Sequence, residues 1–216
     1  MKNLCVIIHT CDDYEFCWEG WYRSYQKNWD MNLNVDMFFV NEEKQISYEN
    51  LIQLKTGKGE WSDRLLFALN RLEYENVLYI QEDAWILKKI DITKYYEDFL
   101  FMNMDALRFL NSVTGSSRHY SFEKDIYSEN YLKFSKDSDY LISHQPSIWK
   151  KKFLIKCLNT GENPWINEID GTERIRNSDK HPNIYSVKDL GEWYLHAARH
   201  GRLTESALQK LIEYRL

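Results

Sequence analysis

The stretch that most constrains the fold is Val77-Leu78-Tyr79-Ile80-Gln81-Glu82-Asp83, an apolar run ending in two adjacent carboxylates. Its β-branched, aromatic and aliphatic side chains suit a buried strand. A central strand that finishes in acids puts them at the carboxyl edge of a sheet, where open α/β sheets bind ligands. Two carboxylates with little basic company nearby also offer a seat for a divalent cation, which prefers oxygen ligands. The alternative is an ordinary strand followed by a solvated acidic turn.

The flanking patterns extend this into an α/β chain. Residues 4–9 form a compact apolar strand that runs into the polar loop His9-Thr10-Cys11-Asp12-Asp13-Tyr14. A helix follows over 16–28, with Trp18, Trp21, Tyr22 and Tyr25 at i, i+3, i+4 and i+7, one aromatic face for packing on a sheet. A second strand is predicted at 35–40. Strand, helix, strand implies a parallel sheet with a right-handed crossover. A short strand at 51–55 precedes a helix at 61–72, with Ser62 as its N-cap and Leu65, Leu66, Leu69 and Leu72 as its stripe. Beyond the acids, 84–87 reads as extended, 93–104 as a helix and 106–110 as a strand.

The pattern breaks down over 111–139, where loops and short strands are expected and a lid is a candidate. A strand at 140–143 and a helix with a basic face at 149–158 follow, and Gly161 ends that helix. Pro164 opens a short helix through Glu168. A strand at 184–187 and a terminal helix at 204–216 complete the chain, the helix capped by Thr204 with Leu208, Leu211 and Ile212 inward. The expected class is α/β, a mixed, mostly parallel central sheet flanked by helices, in one domain over 1–216.

Length agrees with one domain, since 216 residues bury a substantial core. The formal net charge of -5 argues against a nucleic-acid partner. The 15 Tyr and 8 Trp suit ligands that are half apolar and half hydroxylated, such as sugars and nucleosides. Cys5, Cys11, Cys17 and Cys157 include no Cys-x-x-Cys pair and no zinc spacing, so a reducing, cytoplasmic setting is expected. The opening apolar run is too brief for a signal peptide, and no run approaches a membrane span. Membrane contact is expected to be peripheral at most. Gly57-Lys58-Gly59-Glu60 lacks the spacing of a P-loop.

Several motifs fall in a recognisable order. A polar loop follows the first strand, Trp61-Ser62-Asp63-Arg64-Leu65 opens a helix, and a strand ends in Gln81-Glu82-Asp83. Ser143-His144-Gln145-Pro146-Ser147-Ile148-Trp149-Lys150 and Gly161-Glu162-Asn163-Pro164-Trp165 come later. This layout resembles the GT-A class of nucleotide-sugar glycosyltransferases, and the later motifs look like a bacterial branch tied to surface-polysaccharide synthesis. The resemblance covers most of the chain in layout and is motif-level only at these short stretches.

The resemblance implies a nucleotide-sugar donor held by residues 1–110 and a glycan or lipid-linked acceptor held by 111–216. Thr10, Asp12 and Asp13 would line the nucleoside site, and Arg64 would lie near the donor. A surface salt bridge from Arg64 to Asp63 or Glu60 is the alternative. Asp83 carries over as the ligand of a Mn2+ or Mg2+ ion that bridges the diphosphate. Gln81 departs from the acidic pattern: an amide hydrogen-bonds a ribose hydroxyl but adds no charge, so Glu82 would supply it.

A transferase also needs a carboxylate to take the acceptor hydroxyl's proton. Glu168 is the first candidate, Asp170 the second and Glu162 the third, with helix N-terminal charge compensation as the alternative for each. Trp165 offers a face to an acceptor sugar, and His144 and Gln145 are placed on the same side. His196 and His200 lie one helical turn apart, so either could complete the metal's coordination. A non-catalytic carbohydrate- or nucleotide-binding protein is the rival reading. A nucleotidyltransferase is the third, weakened by the lack of a Gly-rich phosphate loop near the start.

Overall fold

The structure, a computed structural model, describes residues 3–31, 33–110, 120–123 and 129–214. Strand β1 (Leu4–His9) leads into helix α1 (Glu15–Asn28) through a single 3-10 turn. Then come β2 (Asp36–Asn41), β3 (Ile52–Lys55), α2 (Trp61–Arg71), β4 (Asn76–Gln81), β5 (Ala84–Ile86), α3 (Ile92–Phe101), β6 (Ala106–Arg108) and β7 (Tyr131–Lys133). The last part holds β8 (Ser147–Lys150), α4 (Lys151–Cys157), α5 (Pro164–Ile166), a π-helical turn at Asn167–Gly171 and α6 (Thr172–Arg176). It closes with β9 (Ile184–Val187), β10 (Tyr194–His196), β11 (Ala198–Arg199), β12 (Arg202–Leu203) and α7 (Glu205–Glu213).

Eight strands form one sheet in the order β3-β2-β1-β4-β8-β6-β9-β7. Strands β3, β2, β1 and β4 run parallel, as do β6 and β9, while β8 and β7 run against their neighbours. The expected mixed, mostly parallel sheet flanked by helices is what forms. Strand β1 lies between β2 and β4 and is buried along its whole length, which explains its unbroken apolar run. Its side chains alternate between two cores. Leu4, Val6 and Ile8 meet the α1 side, where Trp18, Trp21, Tyr22 and Tyr25 are all buried. Cys5 and Ile7 meet Trp61, Leu65 and Leu69 of α2 on the other side. Gly20 of α1 is where Trp85 of β5 crosses: a Cβ there would lie 2.1 Å from the indole.

Several local expectations give way, each for a physical reason. Residues 149–150 belong to strand β8, not to a helix, because Ser147-Ile148-Trp149 is buried on both faces between β4 and β6. Helix α4 starts only at Lys151. The strand expected at 140–143 does not form. Tyr140 takes a left-handed backbone (φ 53°), and the main-chain N–H groups of Ile142 and His144 go to the Thr172 hydroxyl and the Glu168 carboxylate instead of a ladder. Ser62 does not cap α2, since Glu60 holds that position. Ser62 is buried inside the helix and exchanges two hydrogen bonds with the Glu162 main chain.

His196 and His200 share no helix. His196 ends β10, and His200 (φ 51°) with Gly201 (φ 72°) makes the two-residue turn between β11 and β12. Two consecutive left-handed residues are what a type I′ hairpin turn requires. Thr204 does cap α7, accepting from Ala207 N–H. That helix turns Ala207 and Leu211 inward and leaves Leu208 and Ile212 exposed, against expectation. Of the candidate lid at 111–139, residues 111–119 and 124–128 lie outside the described residues; the remainder includes β7 and a bridge between Phe122 and Phe134. Among the described residues, no helix is long and apolar enough to cross a membrane.

Candidate active site

Strands β1 and β4 are parallel neighbours in register, His9 opposite Gln81, so their tips open on the same side. Helix α2 stands beside them and the 143–146 segment approaches from the second half of the chain. Together with α5 and the β11–β12 hairpin they enclose a cavity of about 660 Å³. Of the residues singled out from sequence, it is lined by Thr10, Arg64, Gln81, Glu82, Asp83, His144, Gln145, Trp165 and Glu168, with His196 and His200 at its other wall.

Four singled-out acids do not line the cavity. Asp12 is spent on its own loop. It accepts from the Asn41 amide at 3.0 Å and from the main-chain N–H groups of Glu43 (3.0 Å) and Lys44 (2.9 Å). Burial alone would push its carboxyl up, but these donors hold it below the usual range. Asp13 and Asp170 are exposed, and neither lines the cavity. Glu162, the third candidate base, is tied to Arg174 at 2.7 Å and to the Asn167 amide. Its carboxyl is held low against the effect of burial, first by Arg174 and then by Asn167.

The acid pair is under strain of charge. Burial first, and the Asp83 charge second, push the Glu82 carboxyl well above the usual carboxylate range, with Arg64 and Thr10 acting against them. Burial also raises Asp83, and His196 opposes it. Arg64 is buried, donating to the carbonyls of Gly59 (3.1 Å) and Thr10, with Glu42 at 3.8 Å. Its ion pair is therefore with Glu42, not with Asp63 or Glu60.

Burial disfavours the charged form of two histidines that line the cavity. Burial, then Arg64 and His144, lower His9 well below its usual value; burial also lowers His144, against Glu168 and Asn167. His9 Nδ1 meets the Tyr79 hydroxyl at 3.2 Å, and Trp61 Nε1 donates to that hydroxyl at 3.1 Å. The Asn167 amide nitrogen is committed to the Cys157 carbonyl and to Glu162. Its oxygen therefore accepts from His144 Nε2–H at 2.8 Å, which fixes the imidazole tautomer. Glu168 is buried where α5 runs into the π-helical turn, and its Oε1 accepts from Ser143 Oγ and His144 N, both at 2.9 Å. Trp165 beside it is 67% exposed.

Sequence reasoning missed His9, Cys11, Tyr14, Trp61 and Arg199, which also line the cavity. His9 was legible as the last residue of an apolar strand before a polar loop. Arg199 had a weaker signal, the His200-Gly201 turn beside it.

Among the described residues, no group of three or more His, Cys, Asp or Glu is spaced to enclose a metal ion. Glu82 and Asp83 still fit a cation shared with a ligand. Mg2+ is commonly held by one or two carboxylates plus substrate phosphates and water. A cation there would also relieve the repulsion between the buried Glu82 and the half-buried Asp83 carboxylates.

No family profile and no curated protein matches the chain. Solved structures share its fold. TarS 1–349 of S. aureus superposes with a TM-score of 0.59 at 17% identity, over 89% of this chain and 59% of that one. The same protein in complex with UDP-GlcNAc gives 0.57 at 18% identity, over 95% and 60%. A UDP-glucose pyrophosphorylase complexed with UDP-glucose gives 0.57 at 10% identity, over 99% and 98%. The chain thus spans about 59% of the length of TarS 1–349. Likeness at this level shows the GT-A-like fold, shared with proteins solved around uridine-diphosphate sugars.

Proposed function

We propose that the chain is a cytoplasmic glycosyltransferase that moves a sugar from a nucleotide-sugar donor to a glycan or lipid-linked acceptor of bacterial surface polysaccharide. The observation that carries this reading is one cavity holding the acid pair that follows β4 and, from the other half of the chain, the Glu168 carboxylate beside the open face of Trp165. The solved complexes of the same fold with UDP-GlcNAc and UDP-glucose support a nucleotide sugar as donor.

In this reading Thr10, Arg64 and Gln81 bound the nucleoside end of the cavity. Asp83 and Glu82 would hold Mn2+ or Mg2+, and a bound cation would supply Lewis-acid neutralisation of the leaving group's charge. Arg199 brings positive charge to the same phosphates from the hairpin. Trp165, His144 and Gln145 form the acceptor side. Glu168 takes the acceptor hydroxyl's proton as that oxygen bonds to the sugar's anomeric carbon. The bond from that carbon to the diphosphate oxygen breaks, and the nucleoside diphosphate leaves with the electron pair.

The test is hydrolysis and transfer by the purified protein across a panel of uridine, guanosine and thymidine diphosphate sugars, with and without Mn2+. Turnover that Asp83→Ala and Glu168→Gln abolish while both variants stay folded is the expected result. Retained turnover in either variant overturns the role given to that residue. A non-catalytic sugar-nucleotide binder is the second reading, favoured by Gln81 where the resemblance places an acid. Calorimetry separates the two: tight binding of a nucleotide sugar with no turnover points to the binder.

A further inference from the structure

We propose that Ser143 is a positioning residue that holds the Glu168 carboxylate in its working orientation, an inference that rests on the transferase reading. Glu168 is 7% exposed and still lines the cavity. A carboxylate on a rotatable stem serves as a base only when its lone pair faces the proton it takes. Here one of its oxygens receives two donors, the Ser143 hydroxyl and the His144 main-chain N–H, each at 2.9 Å. Two donors on one oxygen hold the carboxylate against rotation about its stem. The serine is fully buried, so solvent does not compete for its hydroxyl.

The platform that carries Ser143 is itself clamped. The His144 ring donates to Asn167, the Asn167 amide bonds to Cys157 and Glu162, and Glu162 is paired with Arg174. Asn167 and Glu168 are consecutive, and both are buried. They open the π-helical turn, whose wider geometry turns two adjacent side chains toward the same interior. One grips the His144 ring and the other accepts from the His144 main chain. The Ser143 hydroxyl is a side-chain donor to Glu168 Oε1 and takes no part in the His144–Asn167–Glu162 chain, so it can be removed without dismantling the clamp.

The experiment follows hydrolysis of UDP-GlcNAc and UDP-glucose with Mn2+ by the wild-type chain and by Ser143→Ala, Ser143→Cys, Ser143→Thr and Glu168→Gln. Ser143→Cys matches the serine in volume but donates poorly, and carries the test should Ser143→Ala fail to fold. The expected result is a kcat about tenfold lower in Ser143→Ala and Ser143→Cys with KM unchanged, and recovery in Ser143→Thr. Wild-type kcat in the Ala or Cys variant, with Glu168→Gln inactive, overturns this inference and leaves the transferase reading standing. A raised KM with unchanged kcat overturns it too, since it would make the serine a binding contact. Full activity in Glu168→Gln, or no turnover by the wild-type chain on either probe, removes the base assignment and this inference with it.

Discussion

The main-chain N–H of Ala197 donates to the main-chain carbonyl of Asp83 at 2.7 Å. Strand β10 pairs with β5 immediately beside it, Tyr194 opposite Ile86 and His196 opposite Ala84. The acidic turn of the central sheet is thus stitched to the root of the hairpin that carries Arg199 and His200. Ala197→Pro removes that donor from a fully buried position. It is expected to cost about 1–3 kcal/mol in urea unfolding and to weaken UDP binding, as read by calorimetry. Unchanged affinity for UDP would show that the hairpin does not reach the diphosphate.

Glu82 ties stability to pH. Its carboxyl is raised by burial first and by Asp83 second, so the folded protein keeps this proton longer than the unfolded chain does. That contribution is complete below the ordinary value of 4.5 and is lost as pH rises through the raised folded value. Glu82→Gln, neutral throughout, removes the loss. Melting curves of variant and parent should converge near about pH 4, with the variant melting higher at about pH 8. A parent that melts higher at alkaline pH contradicts the assignment.

Gly20→Ala tests the packing beneath the acids. Alanine is favoured over glycine in a helix by about 1 kcal/mol. The clash with Trp85 outweighs this, because the indole is fully buried and 2.1 Å leaves no room. A net loss of about 1–3 kcal/mol is expected in urea melts, with weaker UDP binding because Trp85 lies two residues past Asp83. A stabilised variant would mean that Trp85 has another place to go.

Asp12→Ala should separate loop support from ligand contact. Losing an acceptor for two main-chain donors and the Asn41 amide costs about 1–2 kcal/mol. Calorimetric affinity for UDP should stay at the parent value. A lost affinity would return Asp12 to the nucleoside site.

What the sequence made legible was the part governed by local pattern and sheet logic. Strand β1, helix α1 and strands β2 and β4 follow from apolar runs and one aromatic stripe. The meeting of Thr10 with Glu82 and Asp83 follows from two parallel neighbours ending on the same edge. What escaped depended on distant partners. Trp149-Lys150 reads as a helix start until β4 and β6 claim the strand Ser147–Lys150 from both sides. Asp12 reads as a ligand-facing acid until the β2 loop supplies its donors. His196 and His200 share a helical spacing, which the Gly201 turn overrides. Leu208 and Ile212 look like an inward stripe, yet the Ala207 face is the one that docks.

Strand β8 has a consequence for how the polypeptide can be divided. It comes from after residue 111, yet it lies between β4 and β6, which come from before it. Cutting the chain after Leu110 would leave the leading piece with an uncovered gap in its middle and the trailing piece without the strands that flank its own. Neither piece owns a finished sheet, so the two should recover a native fold only when mixed, as complementing fragments.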